Sequence, residues 1–178
     1  MKGHIRKRGK KWCFVLDIGQ DPMTGKRKQK WFSGYITKKE AQRAMAEKIT
    51  EINRGDYIEP SKMKLSNFLD EWLEEEVKDR RSAHTFDMYR NLVTNHIQPD
   101  LGSVSLDKLA PLHIQKFMGH VSGKGLSPST VNHILQVLRT ALSWAVKMEI
   151  IPKNPADKIS PKTRKRTSMK IWTSDQVN

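Results

Sequence analysis

The chain has 178 residues, 37% of them hydrophobic, and a formal net charge of +14. Its single cysteine excludes an internal disulfide and a thiolate-based zinc site, and no apolar run is long enough for a signal peptide or a membrane span. The expected class is an intracellular, cytoplasmic protein with small cores, no cofactor, no metal and no membrane contact, whose excess of cations calls for a polyanionic partner.

Charge is concentrated at the two ends. Residues 1–60 hold 15 Lys/Arg against 7 Asp/Glu, residues 61–160 hold 13 against 11, and residues 161–178 hold 5 against 1. The first pattern is a period of two. In "KRGKKWCFVLDIG", Trp12, Phe14, Leu16 and Ile18 fall on one face and Cys13, Val15 and Asp17 on the other. Gly9 and "GQDPMTG" are turn signals, residues 5–8 can add a short edge strand, and "KRKQKWFSGY" can pair back. The period then changes to a helical one. Thr37 caps, Glu40 follows three residues on, Ala41, Ala44, Met45, Lys48, Ile49 and Ile52 make one face, and Gly55 stops the run. The expectation is a three-stranded sheet with one helix on one face. The two acid-free stretches, 1–16 and 22–39, would crowd cations onto the open face and its rim, and a small sheet of this kind can enter a DNA major groove.

"EINRGDYIEPSKMK" reads as a short connector, and helical periodicity follows. Leu65, Phe68, Leu69, Trp72, Leu73 and Val77 form the apolar stripe of a first helix whose Asp70, Glu71, Glu74 and Glu75 face solvent. Nothing near these carboxylates resembles a nucleophile or metal ligand, so they suggest no acid–base chemistry. "SAHTFDMYRNLVTNHI" gives a second helix that "PDLG" is expected to end, and "PLHIQKFMGHV" a third that starts at Pro111. A fourth opens with Ser127 as cap and Pro128 at its first position. Its buried stripe is Val131, Leu135, Leu138, Leu142 and Ala145; its polar face is Ser129, Asn132, His133, Gln136, Arg139, Ser143 and Lys147. No acid occurs from Ser127 to Met148, and short hydroxyl and amide groups with sparse cations suit phosphate contacts. "PKNPAD" breaks that helix, the basic "SPKTRKRTSMK" reads as a linker, and Thr173-Ser174-Asp175-Gln176 reads as the start of another helix.

These stretches, in this order, resemble the N-terminal part of the phage-type integrases of the tyrosine recombinase family. "GQDPMTGKRKQKWFSGYITKKEAQRA" is similar to their arm-type DNA-binding domain. "LSNFLDEWLE", "HIQPDLGSVSLDKLAPLHIQKFM" and "LSPSTVNHILQVLRTALSWAVKMEIIPKNPA" are similar to their SAM-like core-binding domain, and "IWTSDQV" to the opening of their catalytic domain. The resemblance implies an α+β, two-domain chain: a three-stranded sheet with one helix over 1–57, a linker over 58–64, an all-α SAM-like four-helix core-binding domain over 65–160, and over 161–178 a basic linker with the first residues of a catalytic domain.

The resemblance also implies function. The partner would be double-stranded DNA, with arm-type attachment sites held by the sheet and core sites by the helical domain. Further integrase protomers and accessory DNA-bending proteins would join on the nucleoid of a bacterial host. The residues expected at DNA are Arg6, Arg8, Lys10, Lys11, Lys26, Arg27, Lys28 and Lys30 in the first domain, and Thr85, Ser127, Ser129, Asn132, His133, Arg139 and Lys147 in the second. Arg164, Lys165 and Arg166 would follow the backbone from the linker. The family's nucleophilic tyrosine would make a 3′-phosphotyrosyl DNA intermediate from the catalytic domain. Tyr35, Tyr57 and Tyr89 fall where the family places no nucleophile, so the chain is expected to be a fragment without catalysis of its own. Two alternatives stand beside this one: a standalone truncated integrase that regulates recombination, and an RNA-binding protein.

Overall fold

The computed structural model describes residues 3–20, 24–55 and 57–163. The chain divides into two compact units between Ile58 and Glu59.

In the first unit, strands β1 (His4–Arg8), β2 (Lys11–Gln20) and β3 (Arg27–Tyr35) form an antiparallel sheet in chain order. Helix α1 (Lys38–Arg54) follows, capped by Thr37, whose Oγ1 accepts the Glu40 amide at 3.1 Å, while Glu40 Oε2 accepts the Ile36 amide at 3.0 Å. The cap bond is therefore made, and Glu40 reaches back one residue past the capping-box position, to the amide before the cap. Gly55 ends the helix with φ of 77°, a left-handed value that costs glycine no Cβ clash. The core lies between α1 and one sheet face. Phe14, Leu16 and Ala41 are buried, and the Phe14 ring stacks on Phe32 at 4.9 Å and on Tyr35 at 5.4 Å. Tyr57 returns to this side, its ring edge on Phe32 at 6.4 Å.

The second unit is all α. Helix α2 runs from Leu65–Trp72 through a π turn at Leu73–Val77 into Lys78–Arg80. Helix α3 repeats the device: Ala83–Leu92, a π turn at Val93–Ile97, then Gln98–Leu101. Helices α4 (Pro111–Gly123) and α5 (Pro128–Lys147) complete the bundle, with short 3₁₀ turns at Leu106–Lys108 and Pro155–Lys158. Its core is the stripe of each helix turned inward: Phe68, Leu69, Trp72, Val93, Ile97, Ile114, Val121, Leu135, Leu138 and Leu142 are all buried. Trp72 stacks on Tyr89 and Phe68 meets Trp144, each at 5.8 Å between centroids. Residues 61–64 are fastened to this unit: Leu65 N donates to Val104 O, Leu106 N to Met63 O, and Lys64 bridges Ser105.

The second helix does not stop before Pro99. The π turn widens the ladder, Gln98 N bonding Val93 O five residues back, and Pro99 enters the helix directly after it. Helix α4 begins at Ala110, which has no hydroxyl to cap with; instead His113 Nδ1 accepts the Ala110 amide at 3.1 Å.

Candidate nucleic-acid interface

Residues paired across an antiparallel sheet share a face, so the register assigns each side chain. The rows Ile5–Phe14–Phe32 and Lys7–Trp12–Tyr35 lie on the helix side. The rows His4–Val15–Trp31, Arg6–Cys13–Ser33 and Arg8–Lys11 lie on the other side, which no described element of the first unit covers. Two irregularities break the ladder, between Trp12 and Cys13, opposite Gly34, and between Asp17 and Gln20, around Gly19; both glycines have positive φ, as bulges require.

This open face is cationic along one side and apolar at its middle. Arg6, Arg8 and Lys11 are exposed, and Lys10 sits with Gly9 in the two-residue turn beside them. Trp31 is 53% exposed and stands directly opposite Val15. The reading from sequence named no aromatic here. Alternation from the inward Phe32 was the available signal, since the residue before an inward one must point outward. Such a half-exposed ring offers a stacking or methyl-contact surface on the same face as the exposed Arg6, Arg8 and Lys11.

Register and contacts set four side chains of this sheet apart from the exposed cations of that face. Cys13 lies on the open face but is only 2% exposed, its short side chain sunk in the row between Arg6 and Ser33, with Sγ donating to Arg6 O at 3.3 Å. Lys28 and Lys30 alternate with Gln29, placing them on the helix side with Phe32; Lys30 Nζ lies 6.0 Å from the Tyr57 ring centroid. Arg27 is on the open side but is paired with Asp17, Nε to Oδ2 at 2.9 Å and a second guanidinium nitrogen at 2.7 Å. Lys26 is exposed beside the β2–β3 turn. Of the eight cations expected at DNA, the register thus groups Arg6, Arg8, Lys10 and Lys11 at one end and leaves Lys26 and Arg27 at the other. On the helix side, burial raises the Tyr35 phenol above its ordinary value against an opposing effect of Lys48, so Tyr35 stays neutral near pH 7.

In the second unit the expected polar face of α5 is divided among different tasks. Ser127 Oγ accepts the Thr130 amide at 3.1 Å and meets Thr130 Oγ1 at 2.9 Å, which makes it the helix cap. Thr85 is on the receiving end of the same arrangement in α3, its amide donating to Ser82 Oγ at 3.3 Å. Asn132 is spent on the backbone of Lys162: its Nδ2 donates to Lys162 O at 2.9 Å and its Oδ1 accepts the Lys162 amide at 2.7 Å. Arg139 is turned to backbone as well, one terminal nitrogen donating to Ile159 O at 2.7 Å and to Ala156 O at 3.4 Å. Its Nε lies 3.9 Å from Asp157 Oδ1, an ion pair without a hydrogen bond. Asn132 and Arg139 are therefore not the outward-facing ligands that the acid-free pattern suggested, because a segment of the chain itself occupies them. Ser129 is half-buried near the cap, His133 is exposed, and Lys147 is exposed at the far end of the helix, about 21 Å from His133 at 1.5 Å per residue. Arg164, Lys165 and Arg166 lie outside the described residues.

Among the described residues no three His, Cys, Asp or Glu side chains are grouped to hold a metal ion, and no helix is long and apolar enough to cross a membrane. His120 Nδ1 does meet Asp100 Oδ2 at 2.9 Å, with Lys124 at 3.4 Å from the same oxygen, but this is a polar tie that fastens α4 and the residue after it to the end of α3.

Comparison with known proteins follows the same division. Residues 4–52 match the family described as arm DNA-binding domain, and residues 64–121 match the phage integrase N-terminal SAM-like domain. A tyrosine recombinase XerC-like protein of Caldanaerobacter subterraneus subsp. tengcongensis is 27% identical over 99% of this chain and 46% of its own length. The chain therefore spans about half the length of that relative. The solution structure of an integrase-like domain from Bacillus cereus superposes with a TM-score of 0.57 at 27% identity, covering 64% of this chain and 96% of that domain. A lambda integrase dimer bound to a COC′ core site shares the fold over 97% of this chain and 48% of its own, with a TM-score of 0.54 at 17% identity.

Proposed function

With an arm DNA-binding domain followed by the N-terminal SAM-like domain of phage integrases, the chain belongs to the integrases of the tyrosine recombinase family, and we propose that it binds the two kinds of site such a recombinase must hold together. The first unit takes arm-type duplex DNA against its open sheet face, and the helical unit takes the core site. The single observation that carries the reading is the row structure of that face. Arg6, Arg8 and Lys11 stand on one side of a three-stranded sheet, next to an exposed Trp31, with no carboxylate in their rows. A sheet presented this way fits the width of a major groove, with cations at its edge to meet phosphates.

In the helical unit, the cap region of α5, His133, Gln136 and Lys147 are exposed on the expected polar face, joined by the exposed Lys158 and Lys162 of the segment that follows the helix. DNA cleavage is not assigned to these residues. Tyr35 packs on Phe14, the Tyr57 hydroxyl is buried, and Tyr89 stacks on Trp72.

The test is a fluorescence-anisotropy titration against labelled duplexes bearing arm or core halves of a candidate attachment site, with random competitor and four salt concentrations. Selective binding to both, each abolished by changes in a different unit, is the expected result. Binding indistinguishable from that to random duplex would refute the reading.

A further inference from the structure

Residues 150–163 run back along α5 as a strap, and their course is fixed by α5 side chains. Glu149, at φ of 56°, reverses the chain after the helix, and Ile150 and Ile151 amides return to Ala145 O. Ile151 and Ala156 are buried in the core of the unit. From there three fastenings follow in order: Asn154 Nδ2 to Ser143 Oγ and Arg139 O, Arg139 to the carbonyls of Ala156 and Ile159, and Asn132 to both backbone groups of Lys162. As strap numbers rise from 154 to 162, helix numbers fall from 143 to 132, so the strap is antiparallel to α5 and ends near its capped N-terminus.

We propose that Arg139 and Asn132 are positioning residues for DNA binding. They hold the strap so that its exposed Lys158 lies beside the middle of α5 and its exposed Lys162 at the end that carries Ser127 and His133. The inference rests on the DNA-binding reading above. Two features support it. Both residues bind strap backbone, which dictates a path without dictating a sequence. The Arg139 side chain is also only 28% exposed, with a terminal nitrogen already between two carbonyls, so a phosphate would have to displace those bonds. A pinned strap meets DNA with its cations already placed, whereas a loose one must be ordered at the moment of binding.

The experiment uses the full chain with Asn132→Ala, Arg139→Met and Lys162→Gln. Amide hydrogen exchange, measured without DNA, is expected to quicken at Lys162 by at least about ten-fold in Asn132→Ala, with core amides such as that of Leu135 unchanged. On a core-site duplex, Asn132→Ala and Arg139→Met are expected to lose affinity several-fold while the slope of log affinity against log salt stays that of the parent. Lys162→Gln, which removes a cation meeting phosphate, should lower that slope by about 0.9. A slope lowered by about 0.9 in Arg139→Met, with strap exchange unaltered, would make Arg139 a phosphate ligand and overturn the proposal. Unaltered Lys162 exchange in Asn132→Ala would overturn it too, and this variant keeps the test decisive should Arg139→Met fail to fold. A parent chain that binds no duplex above competitor would defeat the functional reading, and the exchange data would still decide the strap.

Discussion

Replacing Arg6, Arg8 and Lys11 together with glutamine should separate the sheet's two faces by experiment. All three are exposed on the open side, in rows with Cys13 and with each other. Among the described residues none of them forms an ion pair or packs in the Phe14 cluster, so the fold should survive. If each meets one phosphate, each contributes about 0.9 to the slope of log affinity against log salt, and the triple change should lower the slope by about 2.7. The assay is anisotropy on an arm-type duplex from low to moderate salt, with a thermal melt as the folding control. Lys7→Gln is the matched control: it neutralises a cation on the same strand, but in the row of Trp12 and Tyr35 on the helix side. It should leave the slope within about 0.3 of the parent, since a cation away from the groove releases no bound counterion. An equal loss in Lys7→Gln, or an unchanged slope in the triple variant, would refute the face assignment.

Three further outcomes are expected. Trp31→Ala should weaken arm-site binding, read by the same anisotropy titration, and should also lower the melting midpoint by several degrees, since the half-buried part of the ring is lost from the sheet. Ser127→Ala should cost about 1 kcal/mol of stability in urea unfolding through loss of the α5 cap, and a much larger drop in core-site affinity than that cost explains would return Ser127 to the list of DNA ligands. Gly102→Ala should destabilise the helical unit by about 1–3 kcal/mol in the same assay, because an added Cβ would lie 2.5 Å from the Gln98 carbonyl oxygen, a backbone atom with no rotamer to escape by.

Legibility in the sequence followed the physics of each signal. Strand β2 announces itself by period two, and α1 by Thr37, Glu40 and Gly55, because these are local effects that a few residues determine alone. The family resemblance, carried by long ordered stretches, agrees with the domain matches over residues 4–52 and 64–121. The π turns left no such trace: one extra residue in a helical ladder keeps Leu73 and Val77 four apart, as an ordinary helix would. The sides taken by Lys28 and Lys30 were readable from alternation with Phe32, but counting cations by stretch discards that information. That Asn132 and Arg139 hold backbone was not legible, for a deeper reason. A polar residue on a helix looks the same whether it faces DNA, water or another backbone, and the carbonyls they bind belong to residues whose side chains announce nothing.

The paired π turns make these helices intolerant of tidying. Deleting one residue from Leu73–Val77 would restore an unbroken α-helix and a more regular hydrogen-bond ladder. The residues beyond would keep their faces, because the π turn takes up one extra residue within a single turn. Straightening the turn at unchanged length is the damaging change: it would rotate Val77 by most of the roughly 100° that one residue subtends in an α-helix, out of the core. At these two places the ladder, more than residue identity, decides which side chains the core receives.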